Sequence, residues 1–309
     1  MSLLQTVIRE ASEILIEREY ETKCMLASLL ARGHVLLEGV PGVAKTLTAK
    51  VVAGLLGLDF RRVQMTPDLL PSDIIGGHVY DQKTGEFKLR LGPIFTNVLL
   101  VDEINRASPR TQSALLEAMQ ERQVTIEGVT VPLPEPFIVI ATQNPIEFEG
   151  VFPLPEAQLD RFMARVQVGY PTSRGFIDML RRIEEIEERA RRIKPVMDKE
   201  AILEEISRAS SVRVDDSILE YIARLVEESR KHPAVKLGGS PRAGIAILRL
   251  AKAWAHIEGR SYVIPDDVKA VAYPALSHRL ILKPEYELEG VQPEAVVKEL
   301  LAKVPVPRP

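Results

Sequence analysis

The sequence has few of the features that usually define a protein's class at a glance. Cys24 is its single cysteine, which excludes an internal disulfide framework and a cysteine-based zinc site. No apolar run approaches the roughly 18 residues that a membrane span needs. The stretch Val51–Leu58 is among the longest, and glycines interrupt it. Arg9 and Glu10 stand where the apolar core of a secretory signal would lie, so a soluble, cytoplasmic, reducing setting is expected. A strong charge of one sign is also missing. The net charge is −3, divided into −5 up to Pro171 and +2 after it, so neither half has the basic face that phosphate-backbone binding requires. Stable nucleic-acid binding is therefore not expected. What remains is a 309-residue chain, 46% hydrophobic and 27% charged, which at roughly 150 residues per domain suggests about two domains.

The first 32 residues read as helical, with Leu3, Leu4, Val7, Ile8, Ala11, Ile14 and Leu15 at three- and four-residue spacing. From Gly33 to Pro171 the texture changes to short apolar runs: Val35–Leu37, Phe60–Gln64, Val98–Val101, Ile138–Ala141 and Arg165–Val168. Most are continuous rather than alternating, as strands of a parallel sheet covered on both faces must be. Helical stretches at Thr46–Leu56 and Thr111–Arg122 alternate with them, which signals an α/β domain. Two segments break the rhythm. His78–Asp81 and Glu86–Leu91 flank Gln82-Lys83-Thr84-Gly85, and Val124–Ile126 and Val129–Leu133 flank Glu127-Gly128; each reads as a β-hairpin, or else as a plain loop. After Pro171 no strand pattern remains. Six helices are expected there, at Ser173–Arg192, Lys199–Ala209, Asp216–Lys231, Pro241–Glu258, Pro265–Ser277 and Pro293–Ala302. The expected division is a nucleotide-binding domain over 1–171 and an all-α lid over 172–309.

Five segments carry chemistry. Gly39, Val40, Pro41, Gly42, Val43, Ala44, Lys45, Thr46 and Leu47 lie between a strand and a helix, the setting of a phosphate-binding P-loop. Glycines let backbone N–H groups face the phosphates, and the helix N-terminus adds its positive dipole end. Lys45 supplies charge to the β- and γ-phosphates, and the Thr46 hydroxyl is a magnesium ligand. Ala44 stands where a final glycine is usual, which is acceptable provided that its backbone keeps a negative φ. Val98-Leu99-Leu100-Val101-Asp102-Glu103 is an apolar strand that ends in two acids. It sets Asp102 near the metal and Glu103 beside an attacking water; alone, such a strand could be a core strand with a capping acid, and the P-loop upstream favours the first reading. Ile138–Ala141 leads into Thr142-Gln143-Asn144-Pro145, where Asn144 either orients water at the γ-phosphate or makes a turn before proline. Arg161, in Leu159-Asp160-Arg161-Phe162, and Arg242, in Ser240-Pro241-Arg242, are the candidate arginines. The first could act as a finger on a neighbour's nucleotide or pair locally with Asp160 or Glu156. The second could close over the phosphates from the lid.

Together these segments resemble the AAA+ ATPases, and among them the MoxR family, over essentially the whole chain. The resemblance rests on GVPGVAKT (Gly39–Thr46), TPDLLPSDIIG (Thr66–Gly76) and VDEINRASPRTQSALLEAMQE (Val101–Glu121). It extends through ATQNP (Ala141–Pro145), PLPEAQLDRF (Pro153–Phe162), SPRA (Ser240–Ala243) and the terminal VPVP (Val304–Pro307). It implies a three-layer αβα P-loop domain with a central parallel sheet, followed by a smaller helical lid, and it accepts Ala44 in the P-loop. The hairpins would be an insert in the second helix and a hairpin before the sensor strand, as in the clade that includes magnesium chelatase and the replicative helicases.

The resemblance also implies ATP and ADP as ligands with Mg²⁺, and hydrolysis of ATP. Lys45, Thr46, Asp102 and Glu103 would be the Walker residues, Asn144 sensor 1, Arg161 the trans finger and Arg242 sensor 2. Arg106 would bridge subunits or cap its helix, and Arg165 is the reserve candidate for the trans role. The AAA+ strand order is expected to put the strand after Arg161 as far along the sheet as possible from its own P-loop. A ring, commonly a hexamer, is implied, together with a von Willebrand factor A domain partner and a client protein or complex to be remodelled. A nucleic-acid-stimulated motor and a nucleotide-gated assembly module with little turnover are the alternative functions.

Overall fold

A computed structural model describes residues 2–83, 85–145 and 150–307. Helices α1 (Leu3–Ser12) and α2 (Glu19–Leu30) precede β1 (Val35–Glu38), α3 (Lys45–Leu55), β2 (Phe60–Gln64) and the short α4 (Pro71–Ile75). A hairpin of β3 (Gly76–Asp81) and β4 (Glu86–Leu91) leads to β5 (Val98–Asp102) and α5 (Pro109–Glu121). A second hairpin, β6 (Gln123–Ile126) with β7 (Val129–Pro132), precedes β8 (Ile138–Gln143), the one-turn α6 (Glu156–Leu159) and β9 (Ala164–Gln167). The remainder comprises α7 (Ser173–Arg181), α8 (Ile183–Arg191), α9 (Lys199–Ser210), α10 (Asp216–Lys231), β10 (Val235–Leu237) and α11 (Pro241–Ile257). It ends with α12 (Pro265–Leu276), β11 (Ile281–Leu282), α13 (Pro284–Leu288) and α14 (Pro293–Lys303).

The five apolar runs form one parallel sheet in the order β2-β5-β8-β1-β9. Because side chains alternate across a strand, neighbouring residues enter different cores. Val35, Leu37, Val98, Leu100 and Ile140 pack against α1–α3 and, in the same cluster, residues of the lid helices. Leu36, Leu99, Val101, Val139 and Ala141 pack with Leu115, Leu116 and Met119 of α5 on the other face. This two-sided burial is why the strands read as continuous apolar runs, and it gives the three layers.

Both hairpins form. Glu127 (φ 47°) and Gly128 (φ 87°) both take left-handed backbone, the requirement of a two-residue type I′ turn. The first hairpin begins two residues earlier than the alternation suggests, at Gly76, and Thr84 of its turn lies outside the described residues.

Three expectations need correction. The helix expected over Ser173–Arg192 is broken at Arg182 (φ −110°, ψ 12°), whose guanidinium donates to the Glu13 carbonyl at 3.1 Å and the Glu13 carboxylate at 3.2 Å. That attachment to the first helical segment overrides a continuous local helical pattern. The C-terminal part is helical except for an antiparallel ribbon of β10 and β11, whose strands are too short to show a period. Finally, β9 pairs directly with β1, so the strand after Arg161 is the P-loop strand's immediate neighbour in the sheet.

Candidate functional site

The carboxyl ends of β1, β5 and β8 converge on one cavity of about 450 Å³, lined by Pro41–Leu47, Arg62, Gln64, Asp102, Glu103, Thr142 and Asn144. The loop between β1 and α3 is shaped by its backbone. A Cβ on Gly39 would collide with the Val168 carbonyl oxygen, so only glycine lets β1 leave the sheet this close to β9. Gly42 has φ +82°, and Ala44 has φ 64° and ψ 22°. The expectation of a negative φ at Ala44 is therefore wrong. The alanine is held left-handed, at a cost of about 1–2 kcal/mol for an L-residue, immediately before α3 turns its free N–H groups toward the cavity. Lys45 Nζ donates to the Gly39 carbonyl and, at 3.2 Å, to the Gln143 carbonyl, which spans the cradle from β1 to β8.

Asp102 ends β5 with a buried carboxylate. The Thr46 hydroxyl stands 3.3 and 3.4 Å from its two oxygens, the Thr142 hydroxyl 3.2 Å from Oδ1, and Arg62 Nε 2.6 Å from Oδ2. Glu103 is also left-handed (φ 56°, ψ 54°), and its N–H donates to Thr142 Oγ1 at 2.9 Å. Its carboxylate accepts from Gln64 Nε2 at 2.8 Å and Arg106 Nη1 at 3.2 Å. Asn144 is buried in the same wall. Hydroxyl and carboxylate oxygens are the ligands that Mg²⁺ prefers, and Mg²⁺ usually takes only one or two from protein and the rest from phosphate and water. Thr46 and Asp102 fit that role. Among the described residues no group of three or more His, Cys, Asp or Glu side chains offers a self-sufficient metal cage.

An apolar cavity of about 470 Å³ adjoins the P-loop at Gly42–Ala44 and Leu47. Ile14, Leu15, Ile16 and Arg18 form one wall, and Tyr170, Phe176, Met179, Ile183 and Ile186 the other. Arg18 Nη2 fixes the joint between them by donating to the Gly169 carbonyl at 2.6 Å. This cavity is a place for a flat apolar ring beside the phosphate cradle.

The two candidate arginines lie elsewhere. Arg161 and Arg242 line a separate cavity of about 370 Å³ with Arg32, Arg122, Arg249 and Arg279. Met163 and Ala164 N–H groups reach the His34 carbonyl there, at the amino end of β1 and β9. With four residues of strand at about 3.3 Å each, Arg161 sits on the opposite edge of the sheet from Lys45. Arg242 is 3.5 Å from Asp160 Oδ2, so it lies beside Arg161 and not over the phosphate cradle of its own chain. Asp160, the local partner that Arg161 might have taken, is held by Arg279 Nε at 2.6 Å. Arg279 also donates to the Asp160, Phe162 and Met163 carbonyls at 3.1, 2.9 and 3.4 Å. This buried guanidinium fastens the segment around Arg161 to the end of α12. Arg165 is spoken for: it pairs with Glu294 at 2.9 Å and approaches Glu38 at 3.7 Å, joining β9 to β1 and α14.

Sequence reasoning missed Arg62, Gln64, Thr142, Arg279 and the apolar cavity. The one readable signal was the i,i+2 spacing of Arg62 and Gln64 in β2. Their position beside Asp102 depends on strand order, through the Gln64–Asp102 register.

Comparison with known proteins is consistent with this geometry. Residues 34–164 match the family model "ATPase family associated with various cellular activities (AAA)", and residues 227–300 match an AAA lid domain. The chain is 44% identical to Chaperone MoxR1 of Mycobacterium tuberculosis, over 99% of this chain and 82% of that protein. It is 31% identical to Protein MoxR of Methylorubrum extorquens, over 97% and 94% of the respective chains. A crystal structure of a protein designated an ATPase, from Cytophaga hutchinsonii, is 41% identical, covers 99% of this chain and 95% of its own, and has a TM-score of 0.91.

Proposed function

Because the chain belongs to the MoxR family of AAA+ ATPases, we propose that it uses ATP hydrolysis to remodel a client protein or complex, acting as a ring, in keeping with the chaperone named among its relatives. The observation that carries the ring is the division of the nucleotide machinery between two sheet edges. The P-loop, Asp102, Glu103 and Asn144 share the carboxyl edge, while Arg161 and Arg242 share the amino edge. Neither edge is complete alone. A second copy docking its arginine-lined cavity against the cradle supplies what is missing, and repetition of that heterologous contact closes a ring, a hexamer on the family resemblance.

In this reading Gly39–Leu47 cradle the phosphates, with the base in the adjoining apolar cavity. Lys45 compensates phosphate charge, and Thr46 and Asp102 hold Mg²⁺, whose chemistry is to neutralise charge that develops on the β- and γ-phosphates. Glu103 takes the proton of the attacking water and Asn144 orients that water. Arg161 and Arg242 both reach the neighbour's γ-phosphate, so the lid arginine also works in trans. Arg106, paired with Glu103 within the chain, positions the base. Domain 1–171 then holds the nucleotide and 172–309 carries the stroke to a von Willebrand factor A domain partner and a client, without stable nucleic-acid binding.

Mixed rings test the composite site. Arg161→Ala and Lys45→Ala chains should each lack ATPase activity. Their co-assembled mixture should recover part of it, wherever an intact P-loop faces an intact arginine, since such an arginine contributes roughly 10³–10⁵ in rate. Mixtures that co-assemble and stay inactive over a range of ratios would refute the trans assignment.

A further inference from the structure

Resting on the nucleotide-site reading above, we infer that Arg62 occupies the cation's place at Asp102 and couples metal binding to the state of the base Glu103. Arg62 and Gln64 are two residues apart on β2 and so point to the same side of the sheet, where the Gln64–Asp102 register sets them at the end of β5. One guanidinium makes both decisive contacts. Its Nε is 2.6 Å from Asp102 Oδ2, and its Nη2 donates to Gln64 Oε1 at 3.0 Å. The Gln64 amide is thereby oriented with its Nε2 toward Glu103 Oε2, at 2.8 Å. The chain Asp102–Arg62–Gln64–Glu103 therefore runs unbroken from the metal ligand to the base.

The two ends of this chain have opposite freedom. The Asp102 side chain is only 7% exposed and already accepts from Thr46 and Thr142, so its charge needs a cation at Oδ2. The Arg62 side chain is 53% exposed and can swing into water at little cost. A guanidinium and a divalent cation cannot both sit against one carboxylate, because like charges a few ångströms apart repel strongly in this low-dielectric wall. Arg62 must therefore leave Asp102 when a divalent cation takes that carboxylate. Its departure removes the donor that orients Gln64, and the hold of Gln64 on Glu103 loosens. Glu103 thus stays engaged by Gln64 until the metal is in place, which makes Arg62 a competitor of the metal and a positioning residue for the base.

The test reads metal binding, not turnover. Fluorescent ADP is bound to wild-type protein in EDTA and then titrated with MgCl₂, and the Mg²⁺ concentration for half-maximal tightening is measured. Arg62→Ala and Arg62→Gln should lower that concentration about three- to tenfold, the scale of losing a half-exposed charge-assisted competitor. Arg62→Lys keeps the competing charge and should stay near wild type, and Gln64→Ala, which leaves Arg62 on Asp102, should do the same. An unchanged or higher Mg²⁺ requirement in both neutral variants overturns the inference, since Arg62 would then assist the metal and not compete with it. Failure of the wild type to bind ADP in either condition would instead overturn the nucleotide site itself, and the inference with it.

Discussion

Replacing Ala44 with glycine should stabilise this protein, although glycine substitutions usually destabilise. Ala44 holds φ 64° and ψ 22° at the entrance to α3. Left-handed backbone costs an L-residue roughly 1–2 kcal/mol, while glycine adopts it freely. Against this, the extra freedom of glycine in the unfolded chain takes back about 0.4–1 kcal/mol. The alanine methyl is exposed, so no buried contact is lost. The balance is a gain of about 0–1.5 kcal/mol. At roughly 2–4 °C per kcal/mol for a chain of this size class, the melting temperature should rise by up to about 5 °C. Thermal unfolding of the nucleotide-free protein, followed by circular dichroism, measures it. Ala44→Val is the counter-test. A β-branched residue is worse than alanine in this region, so its melting temperature should fall below that of the parent. If Ala44→Gly lowered the midpoint by several degrees, or if Ala44→Val matched the parent, the loop would not be held left-handed at this residue.

Glu103→Gln keeps the shape and the Gln64 contact but cannot accept a proton, so hydrolysis should fall about 10²–10⁴-fold while ATP affinity persists; hydrolysis at the parent rate in single-turnover measurements would remove Glu103 as the base. Acid should weaken the fold well before ordinary carboxylates titrate. Burial pushes the His34 ring down to about 4, where the neutral ring accepts from the Val139 N–H and donates to the Met119 carbonyl. Burial, with Arg279 and Arg165 nearby, also holds His278 well below its usual value. Both rings stay neutral in the folded chain and gain protons first in the unfolded one. Their contribution is therefore complete above about pH 6.5 and is lost as pH falls, by about 1.4 kcal/mol per pH unit for a ring that stays neutral in the folded chain, a window that for His34 extends to about pH 4. Burial raises Glu21 and opposes the trend, but it can cancel at most one of the two. A stability that stays flat between pH 6.5 and 5 in urea titrations would contradict the neutral buried rings.

What could be read in the sequence was what a few neighbouring residues decide. A strand that ends in glycines before Lys45-Thr46 dictates a phosphate cradle because the strand, the turn and the helix N-terminus are consecutive. Likewise Val98–Asp102 is buried on both faces, and its unbroken apolar run declares it. The misread features each depend on a partner far along the chain. Arg182 breaks a helix because Glu13 draws it, 169 residues away. Strand order is the most consequential case. With β9 placed beside β1, distance along the sheet can no longer separate Arg161 from its own P-loop. The separation arises from the height of the strands, since Arg161 precedes β9 whereas the P-loop follows β1. Arg279 then fixes the outcome from 119 residues away by taking Asp160, the carboxylate that would have kept Arg161 at home. A motif search locates Arg161 and Arg242, but their meeting in one cavity at the amino end of β1 and β9, beside an Asp160 held by Arg279, depends on contacts that only the fold supplies. In the proposed ring, the lid residue that holds Asp160 in the fold would also leave Arg161 to a neighbouring cradle, so Arg279 would serve both the chain's stability and its activity.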